Sequence, residues 1–167
     1  EGYENWNDII AKTEPYKENY VPAGNDISTI IYTSGTTGLP KGVVHTVHSF
    51  SYAVCWAFTV LEDLTDKERF FSYLPLSHIA ERMLVEMGGL YSGATISFAE
   101  SLDLFAANLK DTKPTIFLAV PRIWTKFQMG ILGKMPQNKL NLLLKIPIIN
   151  NIIKKKIKEG LGLDQAK

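Results

Sequence analysis

The chain has 167 residues, 46% apolar and 21% charged, which is one domain's worth of ordinary globular polymer. Its formal net charge of +1 lacks the basic excess of a nucleic-acid binder, so no nucleic-acid partner is expected. A single cysteine, Cys55, excludes an intramolecular disulfide and fits a reducing, cytoplasmic setting; its apolar neighbours Ala53, Val54, Trp56 and Phe58 predict a buried, inert thiol.

The first residues, Glu1 to Glu14, predict a short helix with Trp6, Ile9 and Ile10 on one side, and Pro15 to Asn25 reads as a connecting loop. Residues 1–25 are thus expected to be a lead-in helix and linker. Ile27, Ile30, Ile31 and Tyr32 predict a buried strand, and Val43 and Val44 a short extended piece. Phe50, Val54, Phe58 and Leu61 recur at helical spacing, with Ser49 as the expected N-cap. Phe70 to Leu74 reads as a strand ended by Pro75. Ile79, Met83, Met87 and Leu90 mark a helix broken by Gly93, and Ala94 to Phe98 alternates like a strand. Leu102, Phe105, Ala106 and Leu109 mark another helix, Thr115 to Val120 a buried strand, and the chain beyond Arg122 is mostly helical. Strands alternating with helices predict an α/β fold with a largely parallel sheet and flanking helices.

No secretory leader is evident, and the apolar stretch Leu142–Ile153 is interrupted by Lys145, Pro147, Asn150 and Asn151. Spanning a bilayer takes about 20 apolar residues, so no transmembrane segment is expected. With no initiator Met and no clean boundary at either end, the chain reads as an internal fragment.

The strongest signal is Tyr32-Thr33-Ser34-Gly35-Thr36-Thr37-Gly38-Leu39-Pro40-Lys41-Gly42. Gly35 and Gly38 allow sharp bends and close backbone approach, so that N–H groups can cradle phosphate oxygens. Thr33, Ser34, Thr36 and Thr37 supply hydroxyls, and Lys41 a mobile positive charge. A Walker A loop needs Gly before its Lys and Ser or Thr after it, and Pro40 and Gly42 break both requirements. A flexible Ser/Thr/Gly connector would not usually sit between an apolar strand and Lys41-Gly42-Val43-Val44.

From Ile30 through Lys41 the segment resembles the signature loop of the acyl-adenylate-forming (AMP-binding) superfamily. The resemblance implies contacts to the β- and γ-phosphates of ATP from Ser34, Gly35, Thr36, Thr37, Gly38 and Lys41, and a magnesium role for Thr33. The family often continues with Thr-His and an Asn two places later, whereas here Thr46 is followed by Val47, His48 and Ser49. His45 and His48 are read as satisfied surface or capping groups rather than catalytic ones.

A second stretch, Ser72-Tyr73-Leu74-Pro75-Leu76-Ser77-His78-Ile79-Ala80-Glu81-Arg82, ends a strand at the sheet edge where α/β folds bind ligands. It resembles the Leu-Pro-Leu-x-His-x-x-Glu-Arg run of the long-chain fatty acyl branch, which places His78 near the acyl carboxylate and adenylate as a catalytic residue. Glu81 and Arg82 read as a surface pair at a helix start. Ala119-Val120-Pro121-Arg122-Ile123-Trp124 and the ending Gly160 to Ala166 also resemble that branch, so the likeness runs from about Asp26 to the end. Residues 26–167 are therefore expected to be a partial adenylation domain, an internal piece of the large N-terminal domain of a long-chain fatty acid–CoA ligase whose C-terminal part and small domain are missing. Its implied cofactors and substrates are ATP, Mg2+, coenzyme A and a long-chain fatty acid.

The family's Tyr-Gly-x-Thr-Glu motif, ribose-binding Asp and C-terminal catalytic Lys are not in this sequence, so the 167 residues are expected not to turn over alone. Alternatives are an adenylating enzyme that loads a carrier protein, or a non-catalytic nucleotide-binding remnant. The basic run Lys154-Lys155-Lys156 with Lys158 reads first as a solvated helix face, with a peripheral membrane-surface element as the alternative.

Overall fold

The computed structural model describes residues 4–35, 38–61 and 64–167. Its elements run α1 (Trp6–Lys12), β1 (Ile27–Thr33), β2 (Lys41–Thr46), α2 (Val47–Val60), β3 (Arg69–Ser72), a π-helical segment (Glu81–Met87), α3 (Gly88–Ser92), β4 (Thr95–Phe98), α4 (Phe105–Thr112), α5 (Pro121–Lys134), α6 (Gln137–Leu144) and α7 (Pro147–Leu161). Asn5 starts α1 by accepting the Asn7 N–H at 2.9 Å. The predicted apolar side of α1, Trp6, Ile9 and Ile10, is exposed.

β1 and β2 pair antiparallel, with Thr33 opposite Lys41, Tyr32 opposite Gly42 and Ile31 opposite Val43. The expectation that β1 is buried holds only at Ile31; Ile27, Ile30 and Tyr32 are exposed. A two-stranded ribbon covered by one helix has a single sheltered side, and α2 is that helix. The start of α2 is a capping box: Thr46 Oγ1 accepts the Ser49 N–H and Ser49 Oγ accepts the Thr46 N–H. Ser49 is therefore the third helical residue and not the N-cap, because Thr46 lies three places earlier with the extended backbone a cap requires. The N–H groups of Val47 and His48 reach the carbonyls of Asp26 and Gly24 at 2.9 and 2.8 Å, which anchors the helix to the linker. Phe50 and Val54 point inward, and Cys55, one residue further round the helix, is exposed. That overturns the buried-thiol expectation: in a helix with one apolar face, an apolar run of neighbours does not put every member inside.

The second sheet is parallel, β3 against β4, with Arg69 opposite Thr95 and Ser72 opposite Phe98. Ile116 adds a parallel bridge to the other side of β3 at Phe70. Thr115–Val120, expected as a strand, makes only that bridge. The Val120 N–H donates to the Tyr73 hydroxyl at 3.2 Å, so a side chain ends the segment where a ladder would continue, and Pro121 then opens α5. The predicted helix after Ile79 is present, but its first part is π-helical, the Gly88 N–H reaching the Met83 carbonyl. Gly89 lets this helix lie against β4: a Cβ there would stand 2.4 Å from Ile96 Cδ1.

The core lies between the β3 side of this sheet and the helices that follow. Phe71, Phe105, Leu109 and Leu163 are buried together, with Tyr73, Phe117, Ile123 and Phe127 packed around them. Edge-to-face contacts at 5.4 Å (Phe71–Phe105) and 5.0 Å (Tyr73–Phe105) set its geometry. At its margin Glu68 is buried and accepts from Lys167 Nζ at 2.6 Å. No helix among the described residues is long and apolar enough to cross a membrane.

Candidate active site

The signature loop is the connection of the β1–β2 hairpin. Register pairing sets Thr33 and Lys41 side by side at its base, where the Thr33 hydroxyl donates to the Lys41 carbonyl at 3.5 Å. Gly35 and Gly38 take positive φ values of 53° and 84°, and the Gly38 N–H turns back to the Gly35 carbonyl at 3.4 Å. At Gly35 a glycine is required twice over, by its φ and because a Cβ would fall 2.2 Å from the Leu39 carbonyl oxygen. Thr33, Ser34, Gly38 and Lys41 are exposed, so hydroxyls, backbone and ammonium are gathered on one accessible turn. Thr36 and Thr37 lie outside the described residues. A turn of this composition offers donors and one positive charge to an anion. For a magnesium ion it offers a hard hydroxyl oxygen at Thr33, and no cluster of three acidic, His or Cys side chains stands among the described residues. Thr33 could therefore supply one protein oxygen to such an ion.

His78 sits in the turn that follows β3, at the carboxyl end of the parallel pair, and is exposed. Its backbone N–H donates to the Pro75 carbonyl at 2.8 Å, and its Nδ1 accepts the Ala80 N–H at 3.2 Å. With Nδ1 occupied as an acceptor, the neutral ring carries its proton on Nε2. α2 packs on β2 and also on the π-helical segment after His78, so one helix braces both candidate elements.

Glu81 is the residue that the sequence reading misplaced. It is 1% exposed, and Arg82 pairs with Glu86 at 3.6 Å instead. Glu81 Oε2 accepts the Leu74 N–H at 3.3 Å across the His78 turn, and its Oε1 has no hydrogen-bond partner among the described residues. Glu81 and Val85, four residues apart, are the buried residues of the π-helical segment. Burial pushes the Tyr73 phenol above its ordinary pKa against the Val120 N–H, which pulls it down, and the Glu81 charge raises it further. The His45 ring is edge-on to Phe50 at 5.1 Å, and the His48 ring lies beside Tyr52.

The fold that carries these two elements is shared with solved adenylation domains. An ATP-bound RpMatB–BxBclM chimera superposes with a TM-score of 0.61 at 20% identity, over 72% of this chain and 24% of that one. An McyG adenylation–carrier structure complexed with phenylalanyl-adenylate gives a TM-score of 0.58 at 19% identity, over 66% and 18%. The chain belongs to the AMP-binding enzyme family, whose model matches residues 3–147. Among curated relatives, long chain acyl-CoA synthetase 3 of Arabidopsis thaliana is 35% identical over 164 residues, 83% of this chain and 24% of the relative. The long-chain-fatty-acid–CoA ligase ACSBG2 of Homo sapiens is 34% identical over 171 residues, 85% and 26%. The chain thus spans about a quarter of the length of these relatives.

Proposed function

We propose that residues 26–167 are the phosphate-holding part of an AMP-forming long-chain fatty acid–CoA ligase. The observation that carries this reading is the Thr33–Lys41 turn, whose Gly35 has no room for a side chain. The names of the relatives and the His78 segment support the long-chain substrate class and CoA as acceptor. Exposed apolar residues on the β1–β2 ribbon, Ile27, Ile30, Tyr32 and Val44, support a larger domain covering it.

In the proposed reaction the fatty acid carboxylate oxygen attacks the α-phosphorus of ATP. The α–β phosphoanhydride bond breaks, and its electron pair leaves on pyrophosphate. The thiol sulfur of CoA then attacks the acyl-adenylate carbonyl, loses its proton, and expels AMP. Ser34, Gly35, Thr36, Thr37, Gly38 and Lys41 hold the β- and γ-phosphates, where charge grows as the first bond breaks. Thr33 would hold a magnesium ion there, and the ion would neutralise part of that charge. The Nε2–H of His78 is free to donate to the acyl carboxylate or the adenylate.

Lys41→Met in the complete natural chain tests the reading. Palmitate-dependent exchange between ATP and pyrophosphate should fall by about a hundredfold or more, the usual loss for one well-placed donor to developing charge. Unchanged exchange refutes the phosphate-holding role. Thioester formation with CoA but not with a carrier protein supports the ligase over a carrier-loading enzyme. The isolated 167 residues should form no adenylate from ATP, Mg2+ and palmitate.

A further inference from the structure

The near-zero net charge hides a segregation. Residues 121–161, which make up α5, α6 and α7, contain nine Lys or Arg and one Asp or Glu, a net of +8. The other 126 residues therefore carry −7. Eight of the nine cations are lysines, Arg122 being the exception.

The same helices expose large aliphatic side chains among those lysines. Ile149, Ile153 and Ile157 of α7 turn toward the neighbouring helices and are partly buried. About a third of a turn round the helix, Ile148 is 76% exposed and Ile152 50% exposed. Successive helical residues are about 100° apart, which places Lys155 and Lys156 on either flank of this isoleucine pair, with Lys154 and Lys158 further round. Leu142 and Ile146, just before α7, are exposed as well. Glu159 sits beside Lys155 at 3.9 Å and offsets one of the four charges.

We propose that α7, with the α6–α7 junction, docks on an anionic lipid bilayer, its lysines at the headgroups and Ile148 and Ile152 in the boundary layer. Charge alone would suit any polyanion, but exposed isoleucines gain nothing from a nucleic-acid backbone. A bilayer rewards both features, because flexible lysine stems bring their charge to the headgroups while apolar neighbours enter the acyl boundary.

The test uses the complete natural chain and vesicles of phosphatidylcholine with or without phosphatidylserine, read by flotation. The parent should bind the phosphatidylserine vesicles more tightly, and less so as salt rises. Each lysine at an anionic surface strengthens binding by about fivefold, so converting Lys154, Lys155, Lys156 and Lys158 together to Gln should weaken it by at least about tenfold. The four Lys→Arg changes should retain binding, which separates charge loss from misfolding. Ile148→Asn with Ile152→Asn should remove the binding that persists at high salt. Equal binding to both vesicle types overturns the proposal, as does a Gln variant that binds like the parent. Tighter binding to duplex DNA than to phosphatidylserine vesicles also overturns it, in favour of a nucleic-acid surface.

Discussion

Replacing Gly35 or Gly38 by alanine separates backbone strain from loss of space in the signature turn. Both residues have positive φ, so either alanine costs roughly 1–2 kcal/mol of left-handed strain. Among the described residues no atom lies within 4 Å of a new Cβ at Gly38, so the penalty expected there is strain alone. At Gly35 the new Cβ would lie 2.2 Å from the Leu39 carbonyl oxygen. The Leu39 oxygen is a backbone atom and the Cβ position is fixed by the Gly35 backbone, so no side-chain rotation relieves the clash. Relief to ordinary contact requires the turn to move by about 1 Å, and a misplacement of that size in a catalytic constellation costs about a hundredfold in rate. In the complete enzyme, kcat/KM for ATP should therefore fall about a hundredfold further in Gly35→Ala than in Gly38→Ala. The turn is largely exposed, so thermal midpoints of the two variants should stay within a few degrees of the parent. Equal losses, or a larger loss at Gly38, would refute the reasoning that the Gly35 clash displaces the turn.

At Glu81, alanine leaves the part-buried Leu74 N–H without its acceptor and should cost about 1–3 kcal/mol in denaturant unfolding. Glu81→Gln keeps an acceptor oxygen and should cost less, and an alanine variant as stable as the parent would dismiss the contact. Leu109 is 1% exposed in the core, so Leu109→Ala should lose about 2–5 kcal/mol by the same assay. Burial raises the Glu68 pKa, but hydrogen bonds from Lys167 and Thr115 and the Lys167 charge outweigh it and hold the carboxyl below its ordinary value. A depressed carboxyl contributes stability above its unfolded pKa, about 4.3, and loses it as pH falls through the folded value. Lys167→Met should therefore destabilise the chain at neutral pH and converge with the parent in acid; a gap that persists in acid would show that the charge is not the cause.

How far the fold was legible depended on whether a residue's partner was local. The helix at 47–60 followed from Phe50, Val54 and Phe58 because four-residue spacing is a local property, and even its misplaced cap lay within three residues of Thr46. The β3 and β4 strands were legible for the same reason. Thr115–Val120 was not, because its apolar run says nothing of whether a second ladder exists, and the hydroxyl that ends the segment belongs to Tyr73, 47 residues away. Burial of Glu81 was missed because an adjacent arginine suggested a surface pair. A carboxylate is driven inside only if something there donates to it, and that donor, the Leu74 N–H, becomes available when the strand stops short of it.

The candidate site shows a related asymmetry. The glycines of the signature turn stood out because few residue types can occupy such backbone, so composition and geometry constrain each other tightly. His78 had no such constraint, since an exposed histidine after a strand is compatible with many roles. What singles it out in the structure is the Ala80 N–H on its Nδ1 and the Glu81 carboxylate that ties down the strand end behind it. If Glu81 fixes this turn, its loss should reach the chemistry through His78. Glu81→Ala would then lower kcat for adenylate formation and leave the KM for ATP near its parent value, because the nucleotide phosphates are assigned to the β1–β2 hairpin. A matching rise in KM for ATP would instead mean that α2, which packs on both elements, transmits the damage to the signature turn.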